Sequence, residues 1–185
     1  MMTMPRTMIP LAALALAPFA LLAAAQQQAA PQQGARAAPP LVQWTGAHSK
    51  KTEAGFVLVR DDAAWRTLWA EHEGARTDEP YVFTRHAAPK IDFDRCLVVA
   101  YFAGKRTNQD GAVAEAVEQV GGATRLRFHP STFQTAGPGG GAQSVTPYAM
   151  WVIPATNAPV VIEEARRSLK DEPVRWEEVK RFGAR

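Results

Sequence analysis

Apolar residues are densest where the polar stretch Lys90-Ile91-Asp92-Phe93-Asp94-Arg95 gives way to Cys96-Leu97-Val98-Val99-Ala100-Tyr101-Phe102-Ala103, a run that Gly104 stops. Both alternating sets are apolar: Cys96, Val98, Ala100 and Phe102 on one side, Leu97, Val99, Tyr101 and Ala103 on the other. A strand so composed has no face to give to water, so it is predicted to be central and covered on both sides. Its β-branched and aromatic content and short length favour strand over buried helix.

Residues 42–45 and 56–60 read as two strands, joined as a hairpin by the polar segment 46–55 with Lys50 and Lys51 at its tip. The period then changes. After Asp61 or Asp62, either of which can cap a helix, Trp65, Leu68, Trp69 and His72 fall at i, i+3, i+4 and i+7, and Gly74 suits the position that closes a helix. Such a helix is marginal alone, so its two-tryptophan stripe is predicted to lie on a sheet. His72, at the end of the stripe, is expected to be a partly packed surface residue.

Residues 75–89 read as a loop. Beyond the central strand, Asp110-Gly111 is a tight-turn dipeptide, so the next segment is expected to fold back against that strand. In residues 112–120 Val113, Val117 and Val120 have helical spacing, and the alanines and glutamates prefer helix. Yet Gly121-Gly122 followed by the alternating Arg125-Leu126-Arg127-Phe128 reads as a hairpin, and strand is the prediction. Residues 129–143 form a long loop holding Gly137-Pro138-Gly139-Gly140-Gly141. These glycines lack the preceding strand and the following Lys-Ser helix that a phosphate cradle needs. Residues 147–153 and 160–163 are the last two clear strands, with 154–159 as the turn between them. Residues 166–185 are charge-dense and read as an edge strand or short helix anchored by Trp176, Val179 and Phe182. The expected fold class is α+β, mostly β: antiparallel sheets with one amphipathic helix packed on a face.

Composition changes the picture at the front of the chain. Residues 1–25 carry one charge, Arg6, then an apolar run interrupted by Pro10 and Pro18 and ending in Ala23-Ala24-Ala25, the pattern of a cleaved signal peptide. Residues 26–40 are Gln, Ala, Pro and Gly with one Arg, too poor in apolar surface to offset their ordering entropy, and read as a disordered linker. Residues 41–185 are then one domain, exported to the periplasm or beyond, with no further run long enough to span a membrane. Net charge is +3, and removing the one charge of Arg6 leaves +2, with basic and acidic residues interleaved. That balance gives no nucleic-acid footprint. A single cysteine, Cys96, excludes an internal disulfide and reads as a small buried hydrophobe.

The order and spacing of Asp92-Phe93, Val98-Val99, Gly104, Thr146-Pro147-Tyr148 and Val152-Ile153-Pro154, with Trp65 and Trp69 upstream, resembles the PrcB C-terminal domain family, the PrcB-like subunits of exported protease complexes. The resemblance covers roughly residues 56–163. It implies a small β-rich domain that binds or stabilises a protein partner, a protease among the candidates, and it transfers no catalytic residues. One departure stands out. The family's Thr-Gly-Gly-Tyr turn is replaced here by Thr107-Asn108-Gln109-Asp110-Gly111-Ala112, which leaves a different role on the same scaffold open.

Motifs for chemistry are sparse. His48, His72, His86 and His129 show no metal-ligand spacing, and no Gly-x-Ser-x-Gly elbow surrounds Ser131 or Ser144. Asp92 and Asp94 share a face in an extended chain but read as turn caps before a strand. Arg125 and Arg127 read as a solvated face. The leading expectation is therefore a non-enzymatic binding or accessory module that needs no cofactor and no metal. Its working surface would be the loops 105–111 and 133–143, through Lys105, Arg106, Asn108, Asp110, Phe133, Gly139 and Gly140. Direct protease inhibition by the same loops is a variant of this reading. A hydrolase or metal-dependent enzyme assembled only in the fold, and a structural envelope component, are the alternatives.

Overall fold

Two four-stranded sheets carry the molecule. The computed structural model describes residues 37–74, 87–136, 140–166 and 173–185, all within the compact unit Gln33–Arg185. The expected leader at 1–25 and most of the linker lie outside the described residues. The first sheet is built from β1 (Val42–Gly46), β2 (Gly55–Val59), β3 (Cys96–Phe102) and β8 (Tyr148–Pro154), in the order β1-β8-β3-β2. The second holds β5 (Gln109–Val120), β6 (Ala123–Thr132), β9 (Val160–Arg166) and β10 (Arg175–Phe182), in the order β10-β9-β6-β5. A two-residue ladder, β4 (Arg106–Thr107) with β7 (Ser144–Val145), stands apart from both. All pairs are antiparallel except β6 with β9. The single helix among the described residues is α1 (Asp62–Glu73).

The central strand organises the packing as its sequence requires. Leu97 and Val99 of β3 join Leu126, Phe128, Trp151 and Ile162 in a core between the sheets. Val98, Ala100 and Phe102 join Val59, Trp65, Leu68 and Met150 in a second core under the helix. Each alternating set of one strand therefore feeds a different core, at about 1.5–3 kcal/mol for each large side chain fully buried.

Helix α1 begins and ends where its caps dictate. The Asp61 carboxylate accepts the Ala64 N–H at 2.8 Å, and Gly74 adopts φ 73° while its N–H bonds the Ala70 carbonyl. Both positions follow the usual capping chemistry. Trp65 is fully buried, packs with Trp44 and Trp69 at centroid distances of 5.8 and 5.2 Å, and donates its indole N–H to the Pro89 carbonyl at 2.8 Å. That bond fastens the segment before β3 to the helix. Asp92 turns the chain into β3: its carboxylate accepts the Asp94 N–H at 3.1 Å, and its carbonyl accepts those of Arg95 and Cys96.

Residues 112–120 are strand, hairpinned to β6 through Gly121-Gly122 as expected. The alternation along them is interrupted once. A bulge between Ala114 and Ala116 inserts one residue, so Ala112, Ala114 and Val117 all reach the core between the sheets.

Three expectations are corrected. β1 and β2 do not form a hairpin: β1 pairs with β8 and β2 with β3, at opposite edges of the first sheet. The chain beyond Asp110-Gly111 does not fold back on β3 but crosses to the second sheet. At Gly111, φ is 70°, and a Cβ would collide with Thr45 Oγ1 and the Tyr148 carbonyl. Only glycine permits β5 to cross the first sheet that closely. Residues 155–159 join β8 to β9 as expected, and they carry the chain from the first sheet to the second, where β9 pairs parallel with β6. Strand β6 runs on to Thr132, which shortens the expected loop at 129–143. The charge-dense tail is the edge strand β10, with Val179 and Phe182 packed on the core and a bulge between Glu178 and Lys180. The linker's last residues also take part, because Ala38 exchanges both backbone hydrogen bonds with Val117.

Candidate functional site

The two loops singled out in the sequence meet at one end of the first sheet, and Asn108 is where they meet. Its N–H donates to the Gln143 carbonyl at 3.0 Å, its carbonyl accepts the Phe133 N–H at 3.0 Å, and its side-chain oxygen accepts the Gln143 N–H at 2.7 Å. Its backbone is left-handed, with φ 52°, a conformation asparagine tolerates better than most residues. The β4–β7 ladder, Arg106 opposite Val145 and Thr107 opposite Ser144, closes the junction from the other side.

Around this knot Lys105, Arg106 and Asp110 are exposed, Phe133 is half-buried and Gly140 is exposed. Gly139 and the neighbouring 137–138 lie outside the described residues. Arg106 donates to the Lys105 carbonyl at 2.9 Å, and the two exposed cations are adjacent where β4 begins. Gln109, by contrast, is buried and donates its amide to the Gly111 carbonyl at 3.1 Å.

A second polar cluster lies beside that end and was not legible as a site in the sequence. His72 is not a surface residue: it is 4% exposed, packed at a tilt against Tyr148 at a centroid distance of 4.0 Å and edge-on to Trp69. Its Nδ1 lies 3.0 Å from Ser49 Oγ, and its Nε2 lies 3.5 Å from a Glu73 carboxylate oxygen. Ser49, 5% exposed, accepts the Lys51 N–H on Oγ at 3.1 Å. Its own N–H bonds the Thr146 carbonyl at 2.9 Å and hydroxyl at 3.0 Å. The Lys50 N–H donates to the His72 carbonyl at 2.8 Å, and Lys51 pairs with Glu71 at 2.7 Å. Burial lowers the His72 pKa below its ordinary value, and the Glu73 carboxylate opposes part of that shift. With His48 and Thr146 these groups line a cavity of about 300 Å³. Position i+7 on the helix stripe was the signal that His72 is buried. Nothing in the local sequence marks Ser49.

The other candidates stay apart. His129 sits on the second sheet, 3.1 Å from Glu115, and His86 lies outside the described residues. Arg125 and Arg127 are not simply solvated. Arg127 bonds Glu118 at 2.9 Å and Glu163 at 2.8 Å and stacks on Trp176, while Arg125 lies 3.6 Å from Glu163. Ser144 falls in β7, and Cys96 is half-buried. Among the described residues no group of three or more His, Cys, Asp or Glu could hold a metal ion, and no helix is long and apolar enough to cross a membrane.

The described chain is thus a mostly β, two-sheet α+β structure whose one helix roofs one sheet and whose loops knit at one end. Comparison with protein-family models, curated proteins and solved structures finds no match for it.

Proposed function

We propose that the chain is an exported, PrcB-like accessory module that holds a protein partner, an envelope or secreted protease foremost, through the end built from loops 105–111 and 133–143. The observation that supports this reading is the knot at Asn108. Three hydrogen bonds to one residue fix two loops that are far apart in the chain, so the exposed Lys105, Arg106 and Asp110 are presented on a preorganised surface. Binding residues concentrate on loops held by a rigid scaffold, and preorganisation removes the ordering cost that otherwise weakens association.

The test is recovery of partners from the native envelope fraction on the immobilised mature chain, beside a Lys105→Glu, Arg106→Glu double variant. The expected outcome is a protein bound stably by the native chain and recovered at least tenfold less by the variant, with both chains melting alike. Recovery of no stable partner, or of one indifferent to the charge reversal, would remove the loop end from the function.

A further inference from the structure

We propose that Ser49 is an activated nucleophile, with His72 as its general base, in a cavity that accepts small acyl esters. The placement of three groups supports it. Ser49 Oγ accepts the Lys51 N–H and lies 3.0 Å from His72 Nδ1, and in the proposed arrangement the hydroxyl hydrogen goes to Nδ1. An accepting Nδ1 requires the tautomer protonated at Nε2, and that nitrogen lies 3.5 Å from the Glu73 carboxylate. Hydroxyl, imidazole and carboxylate stand in the sequence used by nucleophilic hydrolases, recognised by roles and geometry and not by chain order.

The surroundings suit each role. Burial keeps the imidazole neutral near pH 7, the form a base needs. His72 also sits in the last turn of α1, where the helix dipole favours the imidazolium that forms when the proton arrives. The nearby backbone donors are spent: Ser49 N–H on Thr146, Lys50 N–H on the His72 carbonyl, Lys51 N–H on Ser49 itself. Charge on a developing oxyanion therefore falls to the exposed basic side chains on the cavity wall, His48 and Lys50. A volume of about 300 Å³ is at the small end for ligand sites and restricts the acyl group to a few carbons.

In the reaction, Ser49 Oγ bonds to the ester carbonyl carbon as its proton passes to His72 Nδ1. The bond from that carbon to the alcohol oxygen then breaks, and the alcohol leaves with the proton from Nδ1. Water repeats the exchange: its oxygen bonds to the acyl carbon, its proton goes through His72 to Ser49 Oγ, and a carboxylic acid departs. Glu73 acts through His72 and is a positioning residue.

The probe is p-nitrophenyl acetate, given to the full chain and followed by nitrophenolate release and by mass spectrometry of the peptide holding Ser49. The expected result is release on the order of 100-fold faster than from Ser49→Ala or from the chain in urea. Ser49→Ala keeps the backbone bonds to Thr146, and a melting curve checks that it folds. The rate should fall as pH is lowered through the His72 titration. Glu73→Gln, which removes the charge that raises the His72 pKa, should move that midpoint to lower pH. Release no faster than from Ser49→Ala, or a rate indifferent to pH across the histidine range, would overturn the proposal and leave the cluster a buried polar clasp. The loop-end reading is untouched by that result, since it is tested on Lys105 and Arg106.

Discussion

Asn108 does at residue scale what neither loop does alone. It combines a left-handed backbone, two backbone hydrogen bonds and one through its side chain. Asn108→Gly keeps the conformation and loses only the side-chain bond to Gln143, whereas Asn108→Ala loses that bond and adds the left-handed penalty. The alanine variant should therefore be the less stable of the two by about 1 kcal/mol in urea unfolding. His72 is the second residue with a measurable consequence. Its folded pKa is lowered, chiefly by burial, so between that value and about 6.5 the unfolded chain binds more protons than the folded one. Stability is then complete above about pH 6.5 and declines as pH falls through that window. The charged or titratable groups around the ring are Glu73, His48, Lys50 and Tyr148, and only Glu73 favours the imidazolium. Urea midpoints at pH 7.5 and 5.0 should differ for the native chain, and His72→Gln should narrow the difference.

At the scale of elements, α1 and β3 depend on one another. The helix has sound caps, but its attachment comes from Trp65, which is fully buried, packed against Trp44 and Trp69, and bonded to Pro89. Trp65→Ala should cost about 3–5 kcal/mol, read as a lowered thermal midpoint, and should free the segment before β3 to proteolysis. An Asp61→Ala change tests the cap alone and should cost about 1 kcal/mol. These elements were also the most legible in the sequence, because each carries its period in side chains that have only one way to be buried. Strand β5 was harder to read. Its bulge at Glu115 shifts the alternation partway along, so Ala112, Ala114 and Val117 face the core and no single period of two runs through the strand.

For the whole molecule the decisive contact is the crossing of β5 over the first sheet. Gly111 lies against Thr45 and Tyr148. The Thr45 hydroxyl accepts the Ala112 N–H at 3.0 Å, and the Gln43 side chain accepts that of Ala114 at 3.4 Å. Side chains of one sheet thus satisfy backbone donors of the other, while Ala38 satisfies Val117. Gly111→Ala faces both a left-handed backbone and a collision with main-chain atoms. It should destabilise by about 3 kcal/mol or more, with the near-ultraviolet signal of Trp151 lost along with the melt. The expected hairpin of β1 with β2 failed at this same scale. Turn residues in 46–55 make a reversal possible, but the strands' better partners, β8 and β3, come from far along the chain.

By itself the sequence determined the doubly covered central strand, the capped and tryptophan-striped helix, the glycine hairpin of β5 with β6 and the mostly β class. Each of these follows from local period or local backbone chemistry that holds wherever the segment is placed. Tertiary structure alone decided which strands are neighbours, that β6 and β9 run parallel, that two distant loops are tied at Asn108, and that Ser49 meets His72. Those outcomes depend on contacts between residues separated by 20 to 100 positions in the chain, which no short-range pattern encodes.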